Sequence, residues 1–323
     1  MSAPAQNAST RHAPAQIPAR APGPIGRFLD SDLWYNFRRS PTAMIAGAVA
    51  LVCVIGSLFA SWLAPHDPFN LASLSLSNSF IPPVPLKGSQ WTFPLGTDDQ
   101  GRDMLSAIMY GGRISLIVGF SSVLFATVVG IGIGLISGYG GGTLDAVLMR
   151  IADVQLTFPA ILIALVVDGI VSAALHQLHE VTEIYVIIFA IGISNWPQFA
   201  RTVRGSTLVE RNKEYVMAAR VIGISGPRIM LTHILPNVLG PVLVIATINL
   251  AVAIVTEATL SFLGVGLPPT DPSLGTLINN GNSYLFSGQW WITVFPGAAL
   301  VIMVLSINLL GDWLRDALNP RLN

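Results

Sequence analysis

Residues 114–137 read ISLIVGFSSVLFATVVGIGIGLIS, without one charged, amide, histidine or proline side chain. A helix rises about 1.5 Å per residue and a bilayer's hydrocarbon is about 30 Å thick, so about 20 apolar residues cross it. This stretch is long enough, and nothing in it asks for water. Working outward, apolar runs recur at Thr42–Ala64 before it and at about Leu148–Ser172, Ile184–Phe199, Val238–Leu263 and Ile292–Leu310 after it. The run ending near Asn195-Trp196-Pro197 is the shortest. The pattern predicts an all-α membrane protein with six transmembrane helices.

Composition agrees. Of 323 residues, 52% are hydrophobic and 11% charged, against about 25% charged in a soluble domain. The 17 basic and 17 acidic residues are too few to clothe a soluble surface, and a net charge of zero gives nucleic acid no footprint. Cys53 is the single cysteine and reads as an apolar filler. Six spans put both termini on one side. If that side is the cytoplasm, all basic residues except Lys87, Arg102 and Arg113 fall in inner segments, as the positive-inside rule requires. The pair Arg38-Arg39 then reads as a cytoplasmic flank rather than a twin-arginine export signal.

This organisation gives a disordered cytoplasmic tail over 1–25, rich in Ala and Pro, and an interfacial helix over 26–41 with Phe28, Leu33, Trp34 and Phe37 on one face. The first span covers 42–64, an external segment 65–112, the main transmembrane domain 113–312 and a cytoplasmic tail 313–323. The external segment holds Pro82-Pro83-Val84-Pro85 within an irregular stretch. It ends in Leu95–Asp103, which lacks EF-hand spacing and reads as a turn capped by Thr97 or Asp98 before an amphipathic helix.

The polar stretch 201–237 carries the functional signal. Val209, Val216, Ala219 and Ile222 approximate one helical stripe, Gly223 and Gly226-Pro227 interrupt it, and a helical pattern resumes from Ile229 to Leu235. Two short helices meeting at a bend are expected. Glu214-Tyr215-Val216-Met217-Ala218-Ala219-Arg220, then Gly223, then Ile234-Leu235-Pro236 resemble the cytoplasmic signature of bacterial ABC importer permeases: Glu-Ala-Ala, three residues, Gly, and later Ile-x-Leu-Pro. The sequence departs from that pattern by placing Tyr215-Val216-Met217 between the glutamate and the alanines, and by having no residue between Ile234 and Leu235. Both departures resemble the peptide-importer branch. Leu95–Asp103, Tyr110–Leu116, Leu260–Gly264, Trp290-Trp291, Phe295-Pro296-Gly297 and Gly311–Asp316 are similar to the C-type subunit of dipeptide and oligopeptide importers, over nearly the whole chain after the N-terminal tail, and the Pro-rich insertion near 82–92 is the clearest region that the resemblance does not explain.

That resemblance implies a type I ABC importer permease fold in a bacterial cytoplasmic membrane, with coupling helices that dock on a cytoplasmic ATPase. Glu214, Ala218, Ala219, Arg220, Gly223, Ile234 and Pro236 are the expected ATPase-coupling residues. The small residues allow close approach, and Gly223 supplies the bend. The chain contains no Walker A loop, since neither Lys87 nor Lys213 follows a glycine. The resemblance therefore implies a translocation subunit without catalytic residues or cofactor of its own, partnered by a second homologous permease, two ATPase subunits using ATP and Mg, and an external solute-binding protein. Peptide is the leading cargo; nickel chelates, glutathione, sugars and opines move on related scaffolds.

Ionisable residues inside spans point to function by default. Asp153 follows Arg150 by three residues and reads as a local helix pair, and Asp168 is near the outer surface. Glu257 is the candidate for the translocation pathway, with helix capping or a contact to the partner permease as alternatives. His176, His179, Glu180 and Glu183 have the chemistry of a metal site but read as an ordinary wet loop, so no metal is expected. A secondary transporter would favour matching halves with broken helices, and none is seen. A membrane protease or hydrolase would need His-Glu-x-x-His or Gly-x-Ser-x-Gly, and both are missing.

Overall fold

A computed structural model describes residues 32–70, 74–174, 181–265 and 272–317. The residues up to Ser40 form one unit and Pro41 onward a second. In the first unit, helix α1 (Asp32–Arg39) places the Arg39 guanidinium 4.7 Å from the centre of the Tyr35 ring. The expected tail 1–25 and the start of the interfacial helix, to residue 31, lie outside the described residues.

The second unit is helical. Its main elements are α2 (Pro41–Leu58), α3 (Met104–Gly140), α4 (Gly142–Thr157), α5 (Ala160–Ala174), α6 (Val181–Glu210), α7 (Glu214–Val221), α8 (Leu235–Phe262), α9 (Leu274–Asn282) and α10 (Trp291–Ala317). Among the described residues four helices are long and apolar enough to span a membrane: α2, α3, α10, and α8 together with the turns that precede it from Gly226. Three boundaries correct the sequence reading. The third run is not one straight helix: α4 and α5 meet at 95°, because Phe158 is extended before Pro159 and the proline cannot continue the hydrogen-bond ladder. The fourth run continues as α6 to Glu210, so the first ten residues of the polar stretch belong to a long helix. Finally, the expected tail from 313 is helical to Ala317; residues 318–323 lie outside the described set.

The centre of the unit is the packing of α3 on α6. Gly130, Gly134 and Gly138 recur every fourth residue on one face of α3, so a groove without side chains runs along it. Phe199, Val203 and Thr207 of α6 fill that groove: a Cβ at Gly134 would stand 2.6 Å from the Ala200 carbonyl oxygen and 2.6 Å from Val203 Cβ, and one at Gly138 2.7 Å from Thr207 Cβ. Phe199 and Val203 are buried in the main core.

Polar groups within this helical layer are satisfied locally. Pro197 has no N–H, which leaves the Ile193 carbonyl without its helical donor; Gln155 Nε2 of α4 donates to that oxygen, and Trp196 Nε1 donates to Gln155 Oε1 at 2.9 Å. Asp145 of α4 accepts both Arg204 Nε at 2.6 Å and Nη2 at 2.7 Å from α6, and the Ser137 hydroxyl of α3. Asp153 does not pair with Arg150 as its spacing implied; its carboxylate is 3.7 Å from Arg201 of α6. Asp168, expected toward the outer end of its span, has its side chain buried in the bundle.

At the Met104 end of α3, the turn Leu95–Asp103 is locked rather than left to bind an ion. Asp98 accepts from Gln100 N, Arg102 N and Arg102 Nε at 2.9, 2.8 and 2.6 Å. The helix cap is Asp103, not Thr97 or Asp98: it accepts from Ser106 N at 3.1 Å. Thr97 instead ties the turn to Ile81, and its carbonyl accepts from Trp291 Nε1 of α10 at 3.0 Å.

The α3–α6 groove yields a paired prediction. Gly134→Ala should lower the thermal stability of the purified protein, with overpacking costing about 1–3 kcal/mol. Gly132→Ala, where a Cβ meets nothing within 4 Å, should not lower it. Thermal unfolding in detergent distinguishes them.

Candidate functional site

The polar segment after α6 folds as a short helix seated on the ends of three long ones. Lys213 precedes α7 in an extended conformation and Glu214 opens it. Val216 and Ala219 face inward and are buried with Ile229, Ile234 and Val238 from the turns before α8 and its start. The helix then stops in a Schellman motif: Ile224 N donates to Ala219 O at 3.0 Å and Gly223 N to Arg220 O at 3.0 Å. Gly223 is the left-handed residue of that motif, with φ of +81°. A Cβ there would meet nothing within 4 Å, so glycine is required by the backbone angle alone.

After Gly226–Ile229 the chain makes one π-helical turn, Met230–Ile234, and enters α8 at Leu235-Pro236. The turn lies immediately before Pro236, where the ring would crowd a regular ladder.

Side chains tie α7 to each neighbouring helix end. The Arg220 guanidinium stands 4.7 Å from the centre of the Tyr139 ring of α3. The Tyr215 hydroxyl donates to Glu210 Oε2 of α6 and accepts from Asn237 Nδ2 of α8 at 3.2 Å. Lys213 Nζ bonds the other Glu210 oxygen at 2.6 Å. Partial burial and the Glu210 carboxylate push the Tyr215 phenol up to about 12, so it remains a donor at physiological pH. Alongside, Arg211 Nη1 donates to the Gly138 carbonyl of α3 at 2.8 Å.

The expected coupling residues therefore divide by role. Ala219 and Ile234 are buried and seat the helix; Gly223 ends it; Arg220 holds α3; Glu214, Ala218 and Pro236 are exposed. The expected stripe is corrected at both ends, because Val209 and Ile222 are 65% and 74% exposed. Val209 belongs to α6, and Ile222 lies where α7 is already ending, so neither follows the helical period of Val216 and Ala219. What the stripe concealed is an outward apolar face: Met217, Val221 and Ile222, with Val221 at 86% exposure. Exposed apolar groups on a polar segment are characteristic of a docking surface. Their signal in the sequence was Met217 and Val221, apolar residues off the expected stripe; Ile222 stood on it.

Glu257, the pathway candidate, is fully buried in this conformation. Its Oε2 accepts from Ser115 Oγ of α3 at 2.8 Å and its Oε1 from Ser261 Oγ at 2.8 Å. Ser115 Oγ in turn accepts from Leu274 N, at the start of α9, at 3.3 Å. The carboxylate thus joins α8, α3 and α9. Of the histidine cluster, His176, His179 and Glu180 lie outside the described residues; among the described ones no three metal-ligating side chains converge.

Comparison with known proteins agrees with this arrangement. Residues 130–323 match the model of the binding-protein-dependent transport system inner membrane component family, and residues 30–83 that of the N-terminal transmembrane domain of oligopeptide transport permease C. The chain is 37% identical to a dipeptide transport system permease of Haemophilus influenzae, over 90% of this chain and 94% of that one. It is 36% identical to a di/tripeptide permease of Pseudomonas aeruginosa over 96% and 97%, and 35% identical to a glutathione permease of Pectobacterium atrosepticum over 90% and 91%. A solved inward-facing MetNI methionine ABC transporter shares the fold, with a TM-score of 0.51 and 21% identity over 65% of this chain and 94% of that chain. The chain belongs to the family of inner membrane components of binding-protein-dependent transport systems, the permeases of ABC importers.

Proposed function

We propose that this chain is one of two homologous permease subunits of an importer for di- or oligopeptides, with both termini in the cytoplasm and α7 as the helix that docks on an ATPase. The observation that carries the coupling role is the pairing of an outward apolar face, Met217, Val221 and Ile222, with inward anchors to α3, α6 and α8. A displacement imposed on such a helix reaches three long helices at once. Two ATPase subunits supply the energy from ATP with Mg, and an external solute-binding protein delivers cargo. ATP binding shifts the permease pair outward, and hydrolysis with product release returns it inward, a population shift set by nucleotide. Glu214, Ala218 and the apolar face contact the ATPase, Ala219, Arg220, Gly223 and Ile234 hold the helix in place, and Pro236 opens α8 behind it.

Peptide cargo is supported by the dipeptide and di/tripeptide relatives, each spanning nearly the whole chain. Glutathione is the second reading, favoured by the relative that carries that name.

Two outcomes are expected in liposomes containing the purified complex and its binding protein. Labelled di- and oligopeptides enter in an ATP-dependent manner; uptake of glutathione alone would establish the second reading. Gly223→Val forces a β-branched residue into the left-handed region at about 1–2 kcal/mol, so the docked helix should lose population and uptake should fall about 5- to 30-fold while the complex stays assembled. Gly223→Asn, which tolerates that angle, should retain most uptake. Normal uptake by Gly223→Val would contradict the coupling role.

A further inference from the structure

We propose that the end of the bundle opposite α7 holds a specific phospholipid, a zwitterionic aminophospholipid of the phosphatidylethanolamine type, with its phosphate on Arg113, its ammonium on Asp67 and an acyl chain in the groove between α2 and α3. The proposal does not depend on the identity of the cargo.

The site begins with two opposite charges that do not satisfy each other. Asp67 and Arg113 line one cavity of about 400 Å³ together with Tyr110 and Ile117, yet among the described residues neither makes an ion pair. Among the described residues, Arg113 Nη1 has one hydrogen-bond partner, the Ser61 hydroxyl at 3.3 Å. Asp67 is exposed, its Oδ1 accepts from Phe69 N at 3.1 Å, and no cation pairs with it among the described residues. A ligand carrying both a negative and a positive group completes the cavity.

Depth comes from the neighbours of Arg113. Ser61 lies in the helical turn Ala60–Leu63, beside Trp62, which is 84% exposed. An exposed tryptophan just past the end of a spanning helix marks the membrane–water interface, so Arg113 stands at headgroup level.

Below it the same face of α3 turns apolar. Tyr110, Arg113, Ile117, Phe120, Leu124 and Val128 recur at helical spacing, and the last four are exposed. Ile117 also belongs to a second cavity of about 380 Å³, lined by Val54 and Leu58 of α2, Phe120 of α3 and Leu250 of α8. From Arg113 to the far end of that groove at Ser121 is eight residues, about 12 Å along the axis. This approaches half of a hydrocarbon core about 30 Å thick, the depth of one leaflet's acyl chain. A polar cavity with both charges and an apolar groove about one leaflet deep, with Ile117 in the lining of both, match a phospholipid better than a short peptide, which has no use for the groove.

The test uses the complex purified in detergent with its partners, stripped of lipid, then titrated with phosphatidylethanolamine or phosphatidylglycerol, with bound lipid counted by native mass spectrometry. The wild type should bind phosphatidylethanolamine in preference to phosphatidylglycerol. Arg113→Gln should lower binding of both about tenfold, from the loss of one charge-assisted contact, and Arg113→Lys should restore part of it. Asp67→Asn should remove the preference and leave phosphatidylglycerol binding unchanged, a pattern that loss of structure cannot produce. Equal binding of the two lipids by wild type, binding unaffected by either substitution, a groove covered by the second permease with no lipid retained, or displacement of lipid by dialanine would each overturn the proposal.

Discussion

The structure depends on how closely α3 and α6 approach. Three glycines spaced by four residues remove every side chain from one face of α3, and Phe199, Val203 and Thr207 occupy the space. In a membrane there is little hydrophobic gain from bringing helices together, so contact of this kind must supply the attraction. The consequence is mechanical. Tyr139, the residue next to Gly138 with its contact to Thr207, and Glu210, at the end of α6, are the groups that grip α7. Because the groove holds their helices together, α7 is attached to one body rather than to two. A looser pair would let a push on α7 be absorbed as sliding between α3 and α6.

The polar contacts follow the same logic. Gln155 replaces the donor that Pro197 lacks, and Asp145 neutralises Arg204, so α4 is fixed to α6 at two heights. Glu257 performs a similar task near the other end, joining α8 to α3 and, through Ser115, to the start of α9. This carboxylate, a pathway candidate from its position in a span, is enclosed here where three helices converge on it.

Much of this was legible in the sequence where the signal was a run or a fixed spacing. The apolar segments located the helices, although of the six expected spans four, or five with the bent pair α4–α5, are long and apolar enough among the described residues to cross a membrane; Gly223 with Ile234-Leu235-Pro236 marked the bend after α7 and the start of α8. The rest depended on partners distant along the chain. Nothing near Asp153 marks Arg201, 48 residues on, as a nearer partner than Arg150. The third span read as straight because a run's apolar length hides the angle that Pro159 imposes. Ile222 read as part of the buried stripe because spacing does not reveal where a helix ends; the Schellman turn at Gly223 does. The repeat Gly130, Gly134, Gly138 was in plain view, and its meaning emerged only with α6 lying in the groove.

The central claim is that the exposed face of α7 is the surface through which an ATPase moves this permease. Cross-linking tests it most directly: Val221→Cys, in a chain whose one native cysteine has been changed by Cys53→Ser, assembled with ATPase subunits carrying single cysteines. The account predicts a disulfide from position 221 to the ATPase in the assembled complex, formed in high yield. An assembled, ATP-hydrolysing complex in which position 221 stays freely accessible to a water-soluble thiol reagent would contradict it.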